Sequence, residues 1–365
     1  MTGIPNLYPA DRLARARELA GAAGFDAMLI SPGADLRYLT GYAARPSERL
    51  TCLVIPLEGE PFLVVPKLER PGAKVSIEVV DWNETEDPYA LVAARLDRDV
   101  ARVAVDNRMW AEKVLAFRQV IRGATQELAS TVLREMRMRK SPEEVEALRQ
   151  AGAAIDKVHE GMAEWLRAGR TEAEVARDIK EAILAAGHAR ADFAIVASGP
   201  NAASPHHDVS GRVIEPGEPI VVDIGGTTQD GYCSDSTRTY CIGEPPAEFR
   251  DYYEVLLRAQ VTQTHAVRPG IPAERLDAIG REIIAGAGYG DFFIHRTGHG
   301  IGLEGHEEPY IVEGSTLKLE PGMTFSVEPG IYVPHRHGAR IEDIMVCTET
   351  GGERLNVTPR ELAIL

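Results

Sequence analysis

No stretch of this chain approaches the roughly 20 apolar residues that a membrane-spanning helix needs, and Met1 to Pro9 contain no charged segment leading into an apolar run. Neither a bilayer anchor nor a secretory leader is expected. Positive charge is in deficit: 40 Lys and Arg face 55 Asp and Glu, for a net charge of −15 and a pI near 5.2. Nucleic acids and anionic membranes are bound through a basic face, so neither is an expected partner. Cysteine is scarce too. Cys52, Cys233, Cys241 and Cys347 lie far apart, with no C-x-x-C spacing. That argues against a thiolate metal or redox cluster and for reduced thiols in a cytoplasmic protein.

What is present is ordinary in bulk and unusual in pattern. A chain of 365 residues, 44% apolar and 26% charged, is long enough for two domains with separate cores. In the first third, Leu13, Ala16, Leu19, Ala20 and Ala23 mark an amphipathic helix, and Ala27 to Ile30 a short buried strand. Thr51 to Pro56 and Pro61 to Pro66 flank Glu58-Gly59-Glu60 as a hairpin, and Ile77 to Trp82 and Arg102 to Asp106 read as further strands. The alternation predicts an α/β domain over residues 1–125, with a linker at 126–140. Ser141-Pro142-Glu143-Glu144 then supplies a capping box with Pro at the first helical position. Helical spacing follows from Val145 to Trp165, about seven turns. Further helices are expected over Glu172 to Ala186, Glu248 to Ala266 and Ala273 to Ala287.

Two stretches repeat one another around an acidic residue. Glu215-Pro216-Gly217 runs through an apolar segment to Asp223 and Gly225; Glu320-Pro321-Gly322 does the same to Glu328 and Gly330. Each then turns back to a second acid, Asp235 or Glu342. The order helix, helix, hairpin is thus written twice, which predicts a pseudo-twofold α+β domain over 141–365 with helices covering a curved antiparallel sheet. Within each hairpin the two acids are an even number of residues apart. With an odd-length loop and no bulge, that parity puts both on one face of the sheet. Taken singly, each acid reads as a sheet-edge or turn carboxylate; the duplicated context argues otherwise for the set. Four carboxylates in one pocket cannot all stay ionised uncompensated. Two divalent cations roughly 3.5–4 Å apart would resolve the conflict. Four of the ten histidines, His206, His295, His299 and His306, sit in glycine-rich or turn-rich segments of the same region. The glycines around His295-Arg296-Thr297-Gly298-His299-Gly300 argue against a helical metalloprotease pair.

The stretches VVDIGG…GYCSDSTRTY, RTGHGIGLEGHEEP, EPGMTFSVEPGIYV and GARIEDIMV make residues 140–365 resemble the catalytic domain of the pita-bread metallopeptidases, which include methionine aminopeptidase, aminopeptidase P and prolidase. The extra N-terminal domain, with Tyr38-Leu39-Thr40-Gly41-Tyr42, is similar to that of the prolidase and aminopeptidase P branch. The resemblance implies two divalent ions (manganese, cobalt or zinc) held by Asp223, Asp235, His299, Glu328 and Glu342. In that pattern Asp235 and Glu342 bridge, Asp223 chelates one ion, and His299 with Glu328 holds the other. Glu328 would also take the proton of a metal-bridging water that attacks the Xaa-Pro bond. His206, His295 and His306 match the substrate and transition-state histidines, and Arg340 the arginine beside the second bridging glutamate. One departure stands out: the first aspartate pair is usually one residue closer, and the extra residue near Thr227 to Asp230 makes either a longer tip or a bulge. A dipeptide substrate needs a cation for its carboxylate, for which Arg45, or else Arg49, is the candidate, with Asp35 near the peptide amine. A homodimeric Xaa-Pro dipeptidase is therefore the expectation. Aminopeptidase P is the alternative, and a non-catalytic pita-bread binding protein the third reading.

Overall fold

The structure, a computed structural model, describes residues 4–96 and 99–365. It divides into two compact units, Asn6–Arg137 and, after it, Met138–Leu365.

The first unit is built on a six-stranded mixed sheet in the order β4-β3-β2-β1-β5-β6. Its strands are β1 (Ala27–Ile30), β2 (Cys52–Pro56), β3 (Phe62–Pro66), β4 (Glu78–Trp82), β5 (Arg102–Val105) and β6 (Thr125–Leu128). The β1–β2 and β2–β3 pairs are antiparallel and the others parallel. The central strands are apolar throughout because both faces are covered; Leu29, Val54, Val64 and Val103 meet Phe117 of the helix Ala111–Val120 in one core. The amphipathic helix and the first hairpin lie where the sequence puts them. The expected linker at 126–140 does not. That stretch contains most of β6 and the helix Ser130–Met138, and the division falls at Arg137. The strand escaped notice because Thr-Gln-Glu-Leu at a sheet edge is largely exposed and carries no apolar alternation.

The second unit repeats one plan. The helices Pro142–Glu160 and Glu172–Ala185 precede β7 (His188–Ser198), β8 (Pro219–Thr228) and β9 (Cys233–Cys241). The helices Ala247–Ala266 and Ala273–Gly286 precede β10 (Gly298–Gly300), β11 (Glu307–Ile311), β12 (Thr324–Val327), β13 (Gly330–Val333), β14 (His337–Arg340) and β15 (Asp343–Cys347). Among the described residues the ladders fall into three parts rather than one continuous sheet. β7, β8 and β9 are joined by Ala363–Ile364; β11-β10-β12-β15 by Gly352–Arg354; β13 and β14 form a two-stranded ribbon. Strand pleating sorts the side chains. Ile220, Val222 and Ile224 pack under Ile155, Val158, Val175 and Ile179 of the covering helices. Val221 and Asp223 therefore face the other way.

The first helix departs from its expected length. It stops at Gly161, and a separate turn, Met162–Trp165, follows. Glycine is a weak helix former, so the apolar spacing runs on through a break that periodicity alone does not reveal. Its start is as expected: Glu144 N–H donates to Ser141 Oγ at 3.3 Å and Ser141 N–H to Glu144 Oε2 at 3.0 Å. Oε1 of Glu144 accepts from Tyr232 OH at 2.8 Å, tying the helix to the tip of the β8–β9 hairpin. Replacing Ser141 by Ala should lower the stability of this unit by about 1 kcal/mol, read as a shift of its urea midpoint with an unchanged slope. No shift would mean that the cap contributes nothing here.

Candidate metal centre

β8 and β9 pair without interruption from Pro219 opposite Cys241 to Thr227 opposite Cys233. Asp223 stands opposite Thr237, and Asp235 opposite Gly225. The two acids are thus diagonal neighbours on one face. The extra residue goes into the tip, which Thr228 N–H closes onto Tyr232 O at 2.9 Å, with Gly231 at φ +90°. There is no bulge between the acids. In the second hairpin Val327 lies opposite Asp343, and Gly330 opposite Arg340. Carried through the intervening Glu328-Pro329, that register sets Glu328 against Glu342. Glu342 N–H donates to Thr237 O at 3.1 Å, so the second hairpin is bonded to the first at the acids themselves.

His299 occupies the middle of β10, a strand rather than a helix, between Gly298 and Gly300. A Cβ on Gly298 would lie 1.9 Å from Ser326 O, and one on Gly300 2.2 Å from Glu308 O. Only glycine lets the neighbouring strands close on both sides of the histidine. His299 Nδ1 lies 3.1 Å from Gly300 O, a carbonyl that can only accept, so Nδ1 carries the proton. Nε2 then faces Glu328 Oε1 at 3.2 Å and Asp235 Oδ2 at 3.7 Å. That is the orientation a metal-ligating imidazole takes, its other nitrogen held by a carbonyl. Ser326 Oγ donates to Glu328 Oε1 at 3.0 Å, and Thr237 Oγ1 to Glu342 Oε2 at 2.7 Å.

The donor set fits cations. His299, Glu328 and Glu342 form one group whose ligand atoms lie within 4.8 Å of one another; Asp223, Asp235 and Glu342 form another. Glu342 belongs to both. A third group joins Asp235 and His299 to His306. Asp223 Oδ1 is buried without any hydrogen-bond partner, an expensive condition that a bound ion would relieve. An arginine filling the cage would have removed the need for metal, but Arg340 does not fill it. Its Nη2 donates to Asp223 Oδ2 at 2.6 Å, Nη1 to Tyr332 OH at 2.8 Å and Pro205 O at 3.2 Å, and Nε to Thr237 Oγ1 at 3.1 Å. One guanidinium engages one oxygen of one acid and leaves the other three carboxylates to be neutralised otherwise.

These groups line a cavity of about 450 Å³, together with His206, His295 and His306. All nine site residues expected from the second unit are therefore brought together. Asp35 and Arg45 belong to the first unit, where Asp35 is ion-paired with Arg137 at 2.7 Å and Arg45 is exposed. Arg49 is engaged by Glu48 and Glu84. Several pocket residues were not singled out from sequence. Phe193, Ile195 and Pro205 give an apolar wall, and Arg296 a cation stacked over Tyr310 at 4.4 Å, with Nη2 3.3 Å from His306 Nδ1. Tyr332 was missed as well. His295 Nδ1 donates to Arg296 O at 2.7 Å, and since Arg340 can only donate, Tyr332 OH gives its own proton to His295 Nε2 at 2.9 Å. Both His295 nitrogens are thus engaged within the protein. Burial pushes the Tyr332 hydroxyl up to about 12 and His306 down to about 4, the latter helped by the charge of His299. Burial, then the neighbouring carboxylates, hold Asp235 and Glu342 well above the ordinary range. Burial alone would raise Glu328 too, but the hydrogen bond and charge of His299 override it and hold Glu328 at about 2.

Comparison with known proteins agrees with this geometry. Residues 146–349 match metallopeptidase family M24, and residues 12–139 the creatinase/prolidase N-terminal domain. The chain is 49% identical over 362 residues to the probable dipeptidase PepE of Mycobacterium tuberculosis, covering 98% of this chain and 96% of that one. It is 38% identical to the Xaa-Pro dipeptidase of Lactobacillus helveticus, over 93% and 95% of the two chains. The crystal structure of dipeptidase PepE from Mycobacterium ulcerans superposes with a TM-score of 0.93 at 48% identity, covering 99% of each.

The raised acids give a signed pH dependence. Without a cation, folded Asp235 and Glu342 keep protons to a pH at which the unfolded chain has lost them, so stability from this source is full at low pH and lost as pH rises. Cation binding needs both ionised. The upward shift in melting temperature on adding Mn²⁺ to metal-depleted protein should therefore be larger at pH 8 than at pH 5; equal shifts would contradict the assignment.

Proposed function

Because the chain belongs to metallopeptidase family M24, with a creatinase/prolidase domain ahead of the catalytic one, we propose that it is a binuclear dipeptidase that hydrolyses Xaa-Pro dipeptides. The observation that carries the reading is the pair of acid clusters sharing Glu342, one completed by His299 and the other leaving Asp223 Oδ1 unpaired. The names of the similar proteins support dipeptides as substrates. Two ions of manganese, cobalt or zinc would be held by Asp223, Asp235, His299, Glu328 and Glu342. Oxygen and imidazole donors suit all three metals. Such ions lower the pKa of a shared water toward about 7 and polarise the carbonyl.

The chain's own side chains do the rest. Glu328, ionised and fixed by Ser326, takes the proton of the attacking water. His206, exposed on the pocket wall, donates to the oxygen that gains charge as the carbonyl turns tetrahedral. His306, whose ring centroid lies 3.7 Å from that of His299 with the planes inclined at 32°, orients the group after the scissile bond. Proline there has no N–H to offer, so recognition falls to shape, for which Phe193, Ile195 and Pro205 provide apolar surface. Arg340 and His295 hold one another through Tyr332 and keep Asp223 in place. For the substrate carboxylate the candidate is Arg296, which lines the pocket, since Arg340 on the same wall is already bonded to Asp223. Arg45 remains a second candidate, and Asp35 a partner for the peptide amine, in its own or a partner subunit. We extend the reading to a cytoplasmic homodimer; four buried, unpaired cysteines suit a reducing compartment, and among the described residues no helix is long and apolar enough to cross a membrane.

Metal-depleted protein reloaded with Mn²⁺, Co²⁺ or Zn²⁺ should release proline from Xaa-Pro dipeptides at least tenfold faster than it cleaves Xaa-Pro-Xaa tripeptides. A preference for tripeptides would make it an aminopeptidase P, and no turnover with any of the three metals would favour a binding protein. Glu328→Gln should lower kcat by about 10²–10⁴-fold. Arg296→Ala and Arg45→Ala should each be tested for a KM increase confined to dipeptides; an equal effect on tripeptides would remove that residue from carboxylate binding.

A further inference from the structure

Glu172 is a fully buried carboxylate that takes no part in the chemistry above. It opens the helix Glu172–Ala185, behind the Thr171 cap, where the helix terminus favours negative charge. Six donor groups converge on it. Ser198 supplies its N–H at 2.8 Å and its hydroxyl at 2.9 Å to Oε1. Asn201 Nδ2 reaches both oxygens, at 3.0 and 3.2 Å. Ser210 gives its N–H at 3.2 Å and its hydroxyl at 2.7 Å to Oε2, and His207 Nε2 donates to the same oxygen at 2.8 Å. Burial would push this carboxyl up, but these donors outweigh it and hold Glu172 below the usual range.

Two of the six come from Ser198, the last residue of β7, and the other four from the excursion between β7 and β8 that carries His206. Its far side is pinned as well. Pro205 O accepts from Arg340, and Ala202 O sits so close to β14 that a Cβ on Gly338 would lie 2.2 Å from it. His206 and His207 are consecutive, yet they serve opposite sides: His206 lines the cavity while His207 is turned back onto Glu172. A backbone held on both flanks fixes the point and the Cα–Cβ direction from which the His206 ring projects.

We propose that the Glu172–His207 pair is a positioning device for His206: by tying the second imidazole into a buried carboxylate, it aims the first at the carbonyl of a bound peptide. This rests on the role given to His206 above. A misplacement of about 1 Å can cost roughly 10²-fold in rate, which is enough for such an anchor to matter.

The test is a mutant cycle on the Mn²⁺-loaded enzyme with a saturable Xaa-Pro dipeptide, using His207→Ala, His207→Gln, His206→Ala and the double alanine variant, with metal content and melting temperature measured alongside. His207→Ala should lower kcat about tenfold with KM within twofold and metal content unchanged. His207→Gln, whose amide can still donate to Glu172, should recover most of the loss. On the His206→Ala background His207→Ala should cost nothing further. Multiplicative losses on both backgrounds, an unchanged kcat in His207→Ala, or no rescue by Gln would overturn the proposal. If His206→Ala leaves kcat intact, the role of His206 falls and the proposal with it; a loss in His206→Ala beside a silent His207→Ala sinks the pair alone.

Discussion

Negative charge packed into one pocket is the constraint around which the second unit is organised. Asp223, Asp235, Glu328 and Glu342 share a cavity in which one guanidinium, that of Arg340, is bonded to an acid and a set of histidines stands close by. Asp235 and Glu342 respond by holding protons, and Glu328 by leaning on His299. A pocket of this kind is unfavourable to build for folding alone, since buried charge without partners costs several kcal/mol per ion. It becomes reasonable once cations belong to it.

Parity made the centre readable in the sequence. A strand alternates faces with period two, so an even spacing across a hairpin is a statement about geometry, and the β8–β9 register bears that out for Asp223 and Asp235. The repeated helix–helix–hairpin order and the capping box at Ser141 were legible for similarly local reasons. Where the extra residue sits was not, because a tip and a bulge have the same spelling. The break at Gly161 was hidden by apolar periodicity that continues beyond it, and β6 by its polar composition at an exposed edge.

Contacts between distant segments set the limit. Tyr332 lies in a motif that drew attention for its glutamate, and its importance comes from His295, 37 residues away, and from Arg340. Arg296 was passed over inside a run read for its histidines. Asp35, expected near a peptide amine, also pairs with Arg137, 102 residues along the chain. Glu172 entered the sequence reading only as the start of a helix; that six donors gather on it emerges only when the chain between the end of β7 and β8 folds back.

The glycines beside His299 have a consequence for anyone reshaping this pocket. With Ser326 O and Glu308 O pressed against the backbone on either side, the β10 wall has no slack in which to accommodate a bulkier neighbour. Attempts to widen the substrate range are better aimed at Phe193 and Ile195, which line the cavity with apolar side chains. Tolerance to redesign therefore ends at β10, where main chain meets main chain on both sides of His299.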